Sequence, residues 1–124
     1  MRAEILLIDD DPDIRAMVHG TLEDAGHAVT DAADGNQGLR CVAHTAYDLV
    51  ITDLVMPERE GLETIMELKQ MRPGIKMIAI SGGLRNSEVD FLAIAKRLGA
   101  RRTLHKPIEI RTLIECVNDV LAEP

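Results

Sequence analysis

Aromatic side chains are nearly missing from this 124-residue sequence: Tyr47 and Phe91 are the only two, and there is no Trp. Surfaces that stack nucleic-acid bases need several exposed rings, so the chain cannot offer one. Positive charge is also short, with 14 Lys and Arg against 21 Asp and Glu and a formal net charge of -7. Non-specific attraction to nucleic acid or anionic lipid depends on a basic surface, and direct nucleic-acid binding is excluded on this count as well. No apolar run approaches the roughly 20 residues that cross a bilayer. The first residues enter a strand-like segment without a basic region or cleavage site, so the expectation is a cytoplasmic protein with no membrane partner. Cysteine is limited to Cys41 and Cys116, with no CxxC and no His at metal-ligand spacing, which reads as two reduced, packed thiols.

What is present fits one soluble domain over residues 1–124. Hydrophobic residues make up 46% and charged residues 28%, the balance of a folded globular chain rather than a disordered one. Five short apolar runs, Ile5 to Ile8, Ala28 to Thr30, Leu49 to Thr52, Met77 to Ile80 and Thr103 to His105, alternate with helical patterns. The first, third and fourth are almost continuous in Ile, Leu, Val and Met, as expected of parallel strands covered on both faces. Ile14, Met17, Val18, Leu22 and Ala25 recur at helical spacing after Asp11 as N-cap and Pro12 in the first turn, and Gly26 closes that helix. Leu62, Ile65, Met66 and Leu68 mark a helix ended by Arg72-Pro73-Gly74. Val89, Leu92, Ala93, Lys96 and Leu98 mark one ended by Gly99, and Ile110, Leu113, Ile114, Val117 and Leu121 mark the last. The segment Gly35 to Thr45 has the poorest helical pattern, because two glycines sit in its first turns. Strict alternation of five β and α units predicts a doubly wound α/β sandwich with right-handed crossovers.

Ligand sites in open α/β sheets lie outside the carboxyl ends of the strands. Those ends are chemically unusual here: Asp9, Asp10 and Asp11 follow the first strand, Asp53 the third, Ser81-Gly82-Gly83 the fourth, and Lys106-Pro107 the fifth. Two carboxylates about 4 Å apart repel by roughly 4 kcal/mol at an effective dielectric near 20, so Asp9, Asp10 and Asp53 together call for a counter-ion. A small hard cation such as Mg²⁺, which takes one or two carboxylates plus waters and a phosphoryl oxygen, suits a partial acidic site. An Asp carboxylate can attack phosphorus, with the Ser81 hydroxyl and Lys106 ammonium offsetting charge on the equatorial oxygens and Gly82 allowing close approach. Taken singly, each piece has a plainer explanation: a helix cap for the tandem Asp, a turn for Asp53, a loop for Ser81-Gly82-Gly83. Their joint arrival at successive strand ends favours a site.

In these motifs the sequence resembles the response-regulator receiver domain, the family that includes single-domain chemotaxis regulators. The resemblance is carried by ILLIDDDPDIR (Ile5 to Arg15), DLVITDLVMP (Asp48 to Pro57), Gly61-Leu62, ISGG (Ile80 to Gly83), Gly99-Ala100 and Lys106-Pro107. It implies a flavodoxin-like (βα)5 sandwich of strand order 2-1-3-4-5, with the first and last helices on one face. It also implies Asp53 as phosphoacceptor, Asp9 and Asp10 as the metal-binding pair with Asp11 left as cap, and the Val55 carbonyl as a further ligand of Mg²⁺ or Mn²⁺. Ser81 becomes the mobile hydroxyl residue, Gly82 the small residue beside the phosphoryl group, and Lys106 its contacting lysine, with a cis bond to Pro107. The implied reaction is phosphoryl transfer from a histidine kinase or phosphotransfer protein, switching contacts with a downstream protein target in a monomer or a phosphorylation-dependent dimer.

Thr103 departs from the family pattern, standing three residues before Lys106 where an aromatic switch residue is usual. Val55 and Gly83 place no polar group beside the site to orient water, which predicts a long-lived phospho-Asp53. His105 is expected to point away from Lys106, and Arg101 and Arg102 to form solvated edge charge or a protein-binding patch. Rival readings are a degenerate receiver serving only as a binding module, and a haloacid-dehalogenase-like phosphatase. The second would need DxD after its first strand and a cap insertion, whereas Val55 occupies the position two after Asp53. A flavodoxin-like electron carrier is disfavoured because Asp9 to Asp11 would repel a flavin phosphate.

Overall fold

The computed structural model describes residues 2–54, 61–82 and 93–124. Five parallel strands, β1 (Glu4–Ile8), β2 (Ala28–Ala32), β3 (Leu49–Asp53), β4 (Met77–Ser81) and β5 (Ala100–His105), form one sheet of order β2-β1-β3-β4-β5. Helices α1 (Pro12–Asp24), α2 (Gly35–His44) and α3 (Gly61–Met71), a segment helical over 93–98 (α4), and α5 (Ile110–Ala122) cover its two faces.

Strand periodicity divides the core in two. Ile5 and Leu7, with Leu49, Ile51, Ile78, Ile80 and Leu104, face α1 and α5 through Val18, Leu22, Leu113 and Val117. Leu6 and Ile8, with Val50, Met77 and Ala79, face the other helices through Val42, Ile65, Leu68 and Ala95. Because β1, β3 and β4 bury both faces, their runs are almost continuously apolar, with Thr52 a buried polar exception. Each fully buried Ile or Leu contributes about 1.5–3 kcal/mol relative to exposure.

The edge strands are longer than their apolar runs. β2 continues through Asp31 to Ala32, and β5 begins at Ala100, three residues before Thr103. At an edge, polar residues can face solvent without breaking the ladder. β5 also absorbs an irregularity, since Met77 pairs with Ala100 but Ile78 pairs with Arg102. Arg101 and Arg102 are not simply solvated: they hold Glu123 at 3.2 and 3.0 Å, tying the sheet edge to the end of α5. Val89, Leu92 and Phe91 lie outside the described residues.

The helix ends follow the expected chemistry. Asp11 Oδ1 accepts from the N–H groups of Asp13 and Ile14, while Gly26 turns the chain at φ 98° after the Ala25 C-cap. In α2 the apparent weakness has a packing reason. A Cβ on Gly38 would sit 2.3 Å from Ile8 Cδ1, so glycine lets this helix approach β1 beside Asp9.

One contact between α1 and β2 carries no signal in the sequence pattern. His19 Nδ1 lies 2.7 Å from Asp31 Oδ1 and Nε2 lies 2.9 Å from Glu23 Oε2. The Asp31 hydrogen bond raises the His19 pKa above the ordinary 6.5, against the effect of partial burial and with help from Glu23. A raised histidine pKa means that the charged clasp contributes fully below the unfolded value and fades as pH rises through the folded one. Exposed pairs of this kind contribute up to about 1 kcal/mol each. His19→Gln should therefore lower the melting temperature by a few degrees at pH 6 and have little effect at pH 9. An equal loss at both values would show that the clasp acts through packing alone. His27 runs the other way, since burial lowers its pKa and its Nδ1 accepts from the Ala3 N–H at 3.0 Å. The comparison is therefore made between variant and parent at each pH.

Candidate functional site

Ladder bonds beyond the strand ends gather the expected residues at one edge. The Asp9 N–H donates to Ala32 O (3.1 Å), that of Leu54 to Ile80 O (2.8 Å), and that of Lys106 to Ser81 O (2.8 Å). These bonds keep the ends of β1, β3, β4 and β5 level, so Asp9, Asp53, Ser81 and Lys106 meet although they lie up to 97 residues apart. Asp9, Asp53 and Ser81 are buried, which is unusual for two carboxylates, whereas Asp10 and Gly82 are exposed.

One carboxylate oxygen from each of Asp9, Asp10 and Asp53 falls within 4.8 Å of the others. Lys106 Nζ bridges two of them, donating to Asp53 Oδ2 at 3.0 Å and lying 3.2 Å from Asp9 Oδ2. Burial works against the charge on Lys106, but the hydrogen bond and charge of Asp53, reinforced by Asp9, outweigh it and raise its pKa above the ordinary 10.5. One ammonium cannot neutralise three carboxylates. Among the described residues Asp9 Oδ2 has no hydrogen-bond donor in good geometry, although it is buried. A buried carboxylate oxygen in ion-pair contact with Lys106 but without a well-aligned hydrogen bond, beside two further carboxylate oxygens, fits a hard divalent cation.

The neighbouring residues divide as their positions require. Asp11 is the helix cap, and its N–H also donates to Asp9 Oδ1 at 2.9 Å. Thr103 is half-buried on β5 opposite Ala79. His105 is exposed on β5, and the Lys106-Pro107 peptide is cis. Cys41 and Cys116 are free thiols, and burial pushes that of Cys116 up in pKa. Val55 and Gly83 lie outside the described residues. One participant carried no assigned role in the sequence: Arg15 Nη1 donates to the Asp9 carbonyl at 2.7 Å. Its signal was a cation in the first turns of a helix, where the macrodipole disfavours positive charge.

A doubly wound parallel sheet with a carboxylate cluster, a lysine and a buried serine at its carboxyl edge defines a class of α/β domains whose polar site lies where such sheets bind their ligands. Within that class, the family model described as "Response regulator receiver domain" matches residues 5–118, and the chain belongs to that family. Receiver domains are signalling modules of two-component systems, phosphorylated by histidine kinases or phosphotransfer proteins, and bind Mg²⁺ at an acidic cluster. Protein PilH of Pseudomonas aeruginosa is 32% identical over 120 residues, covering 97% of this chain and 98% of that protein. The DNA-binding transcriptional regulator NtrC of Azospirillum brasilense is 35% identical over 119 residues, 96% of this chain but 24% of the relative. The chain thus spans about a quarter of the length of the transcriptional regulators it matches. Among solved structures, the receiver domain of NtrX from Brucella abortus superposes with a TM-score of 0.90 at 30% identity, covering 97% of this chain and 99% of that one. The chemotaxis protein CheY4 of Vibrio cholerae gives 0.86 at 29%, with the same coverage. Among the described residues, no helix is long and apolar enough to cross a membrane.

Proposed function

We propose that Asp53 accepts a phosphoryl group from the phosphohistidine of a histidine kinase or phosphotransfer protein, and that residues 1–124 act as one cytoplasmic receiver unit. The observation that carries this reading is the Lys106 ammonium bridging Asp53 and Asp9 where the carboxylates of Asp9, Asp10 and Asp53 come together. A carboxylate oxygen of Asp53 attacks phosphorus, the phosphorus–nitrogen bond breaks, and the departing imidazole takes up a proton as neutral histidine. Asp9, Asp10, Asp53 and the Val55 carbonyl would hold Mg²⁺ or Mn²⁺, which when bound offsets negative charge on the phosphoryl oxygens. Lys106 exchanges its carboxylate contacts for a phosphoryl oxygen, Ser81 turns its hydroxyl toward the same group, and Gly82 leaves room for it. Water later attacks phosphorus, releasing phosphate and restoring the carboxylate, so the domain assists its own phosphorylation and dephosphorylation but turns over no separate substrate.

The output passes to a downstream protein through a surface that includes Thr103, in a monomer or a phosphorylation-dependent dimer. With Thr in place of a ring, the Ser81 movement is transmitted by a small β-branched side chain. The test is incubation with acetyl phosphate or a phosphorylated histidine kinase, with and without Mg²⁺, read by intact mass. A single phosphoryl adduct is expected in the presence of Mg²⁺, absent after chelation and absent in Asp53→Asn. An adduct that survives Asp53→Asn assigns the acceptor elsewhere, and no adduct from either donor supports a binding module instead.

A further inference from the structure

The turn that carries Asp9, Asp10 and Asp11 from β1 into α1 is held at successive polar atoms. The Asp9 N–H reaches Ala32 O, Asp9 Oδ1 accepts from the Asp11 N–H, and Asp11 Oδ1 caps α1. The remaining backbone group of Asp9, its carbonyl, accepts from Arg15 Nη1 at 2.7 Å. That distance is short for an N–H···O bond, as expected of a charged donor. Arg15 is half-buried and lies in the opening turns of α1, against the macrodipole. Its carbonyl partner is neutral, so the contact is an anchor for the backbone rather than an ion pair.

The Asp9 carbonyl and the Asp10 N–H belong to one planar peptide unit. An anchor on the carbonyl fixes the rotation of that plane, and with it the direction in which Asp10 leaves the chain. Asp9 and Asp53 are held by burial among the strands, whereas Asp10 is exposed. We propose that Arg15 is a positioning residue: by clamping the Asp9 carbonyl it holds the Asp10 carboxylate within reach of Asp9 and Asp53, preforming the cation site. The inference rests on reading those three carboxylates as a divalent-cation site.

Charge and geometry make opposite demands on Arg15. A guanidinium near a divalent cation repels it, so removing only its charge would tighten binding. Loss of an anchor outside the ligand shell weakens binding, typically by 10- to 100-fold. The sign of the change therefore separates the two roles.

The experiment is calorimetric titration of Mg²⁺ into the full chain without any phosphodonor, for the parent and for Arg15→Met, Arg15→Lys, Asp10→Asn and the Arg15→Met/Asp10→Asn pair. Far-UV circular dichroism and melting confirm that each variant is folded. Arg15→Met is expected to raise Kd about tenfold, and Arg15→Lys, which keeps a charged donor, to recover most of that loss. Because Arg15 acts through Asp10, the pair should bind no more weakly than Asp10→Asn alone. Tighter or unchanged binding in Arg15→Met, no recovery by lysine, or additive losses in the pair would each overturn the proposal. If the parent itself binds no Mg²⁺, the cation reading fails first. If the parent binds and Arg15→Met binds equally well, only the positioning role fails.

Discussion

Replacing Lys106 with Met should destabilise the metal-free protein by about 3 kcal/mol, the lower end of the range for removing one partner from a buried ion pair. For a chain of this size that is a fall in melting temperature of roughly 10 °C. Lys106 is the cation within 3.0 Å of Asp53 and 3.2 Å of Asp9, and both carboxylates are almost wholly buried. Without it, Asp9, Asp10 and Asp53 repel one another with no ammonium between them. Two changes should restore stability, and for the same reason. Saturating Mg²⁺ supplies a replacement cation, and a second substitution, Asp53→Asn, removes one of the repelling charges. In the parent, Asp53→Asn relieves less repulsion, because Lys106 already offsets part of it. The raised Lys106 pKa keeps the ammonium charged below its ordinary value, so its contribution should be constant from pH 6 to 9 and fade only in strong alkali. Thermal melts of the two single variants and the pair, with and without Mg²⁺, make the test. Equal melting of Lys106→Met and the parent would mean that these carboxylates are not coupled.

Gly61→Ala should be as damaging, through sterics alone. A Cβ at this position would lie 2.3 Å from Leu54 Cα, 2.6 Å from Leu54 O and 2.7 Å from Asp53 O. All three are backbone atoms, so no side chain can rotate away. The Gly61 N–H also donates to Leu54 O at 3.0 Å, joining the start of α3 to the residue after Asp53. Relieving the clash must separate α3 from the end of β3, at a cost of about 3 kcal/mol or more. Gly20→Ala is the control. Gly20 lies in mid-α1 with nothing within 4 Å of an added Cβ, and alanine there should stabilise by about 0.5–1 kcal/mol. Urea unfolding of both variants should therefore give shifts of opposite sign. A Gly61→Ala protein as stable as the parent would show that β3 and α3 can separate freely. Because the displaced atoms adjoin Asp53, the proposed phosphorylation should also be slowed in any folded Gly61→Ala fraction.

The two central features, alternation of elements and charged strand ends, were legible because each follows from short-range pattern. Buried parallel strands must be apolar on both sides, which makes Ile5 to Ile8, Leu49 to Thr52 and Met77 to Ile80 stand out. Asp9, Asp53 and Ser81 are then the first polar residues after, or at the close of, such runs. The edge strands extend past their apolar runs because Asp31, Arg101 and Arg102 interrupt the apolar pattern, and at an edge those side chains can meet solvent or the helix ends. Gly35 and Gly38 weakened the α2 pattern, yet both are buried, and Gly38 is required by the approach of Ile8.

The strand-and-helix alternation, the Asp11 cap, the identity of the residues at the carboxyl edge and, through the motifs they form, the resemblance to the receiver family are readable along the chain. Those are properties of neighbours along the chain. Which charges meet follows from tertiary packing: Lys106 lies between Asp53 and Asp9, the carboxylates of Asp9, Asp10 and Asp53 converge, Arg15 reaches back to the Asp9 carbonyl, and His19 closes on Asp31. Each of these depends on the direction of a side chain across elements brought together by hydrophobic burial. The scarcity of aromatics excluded base stacking from composition alone, while the position of Thr103, half-buried on β5 opposite Ala79, follows from the register of β4 and β5.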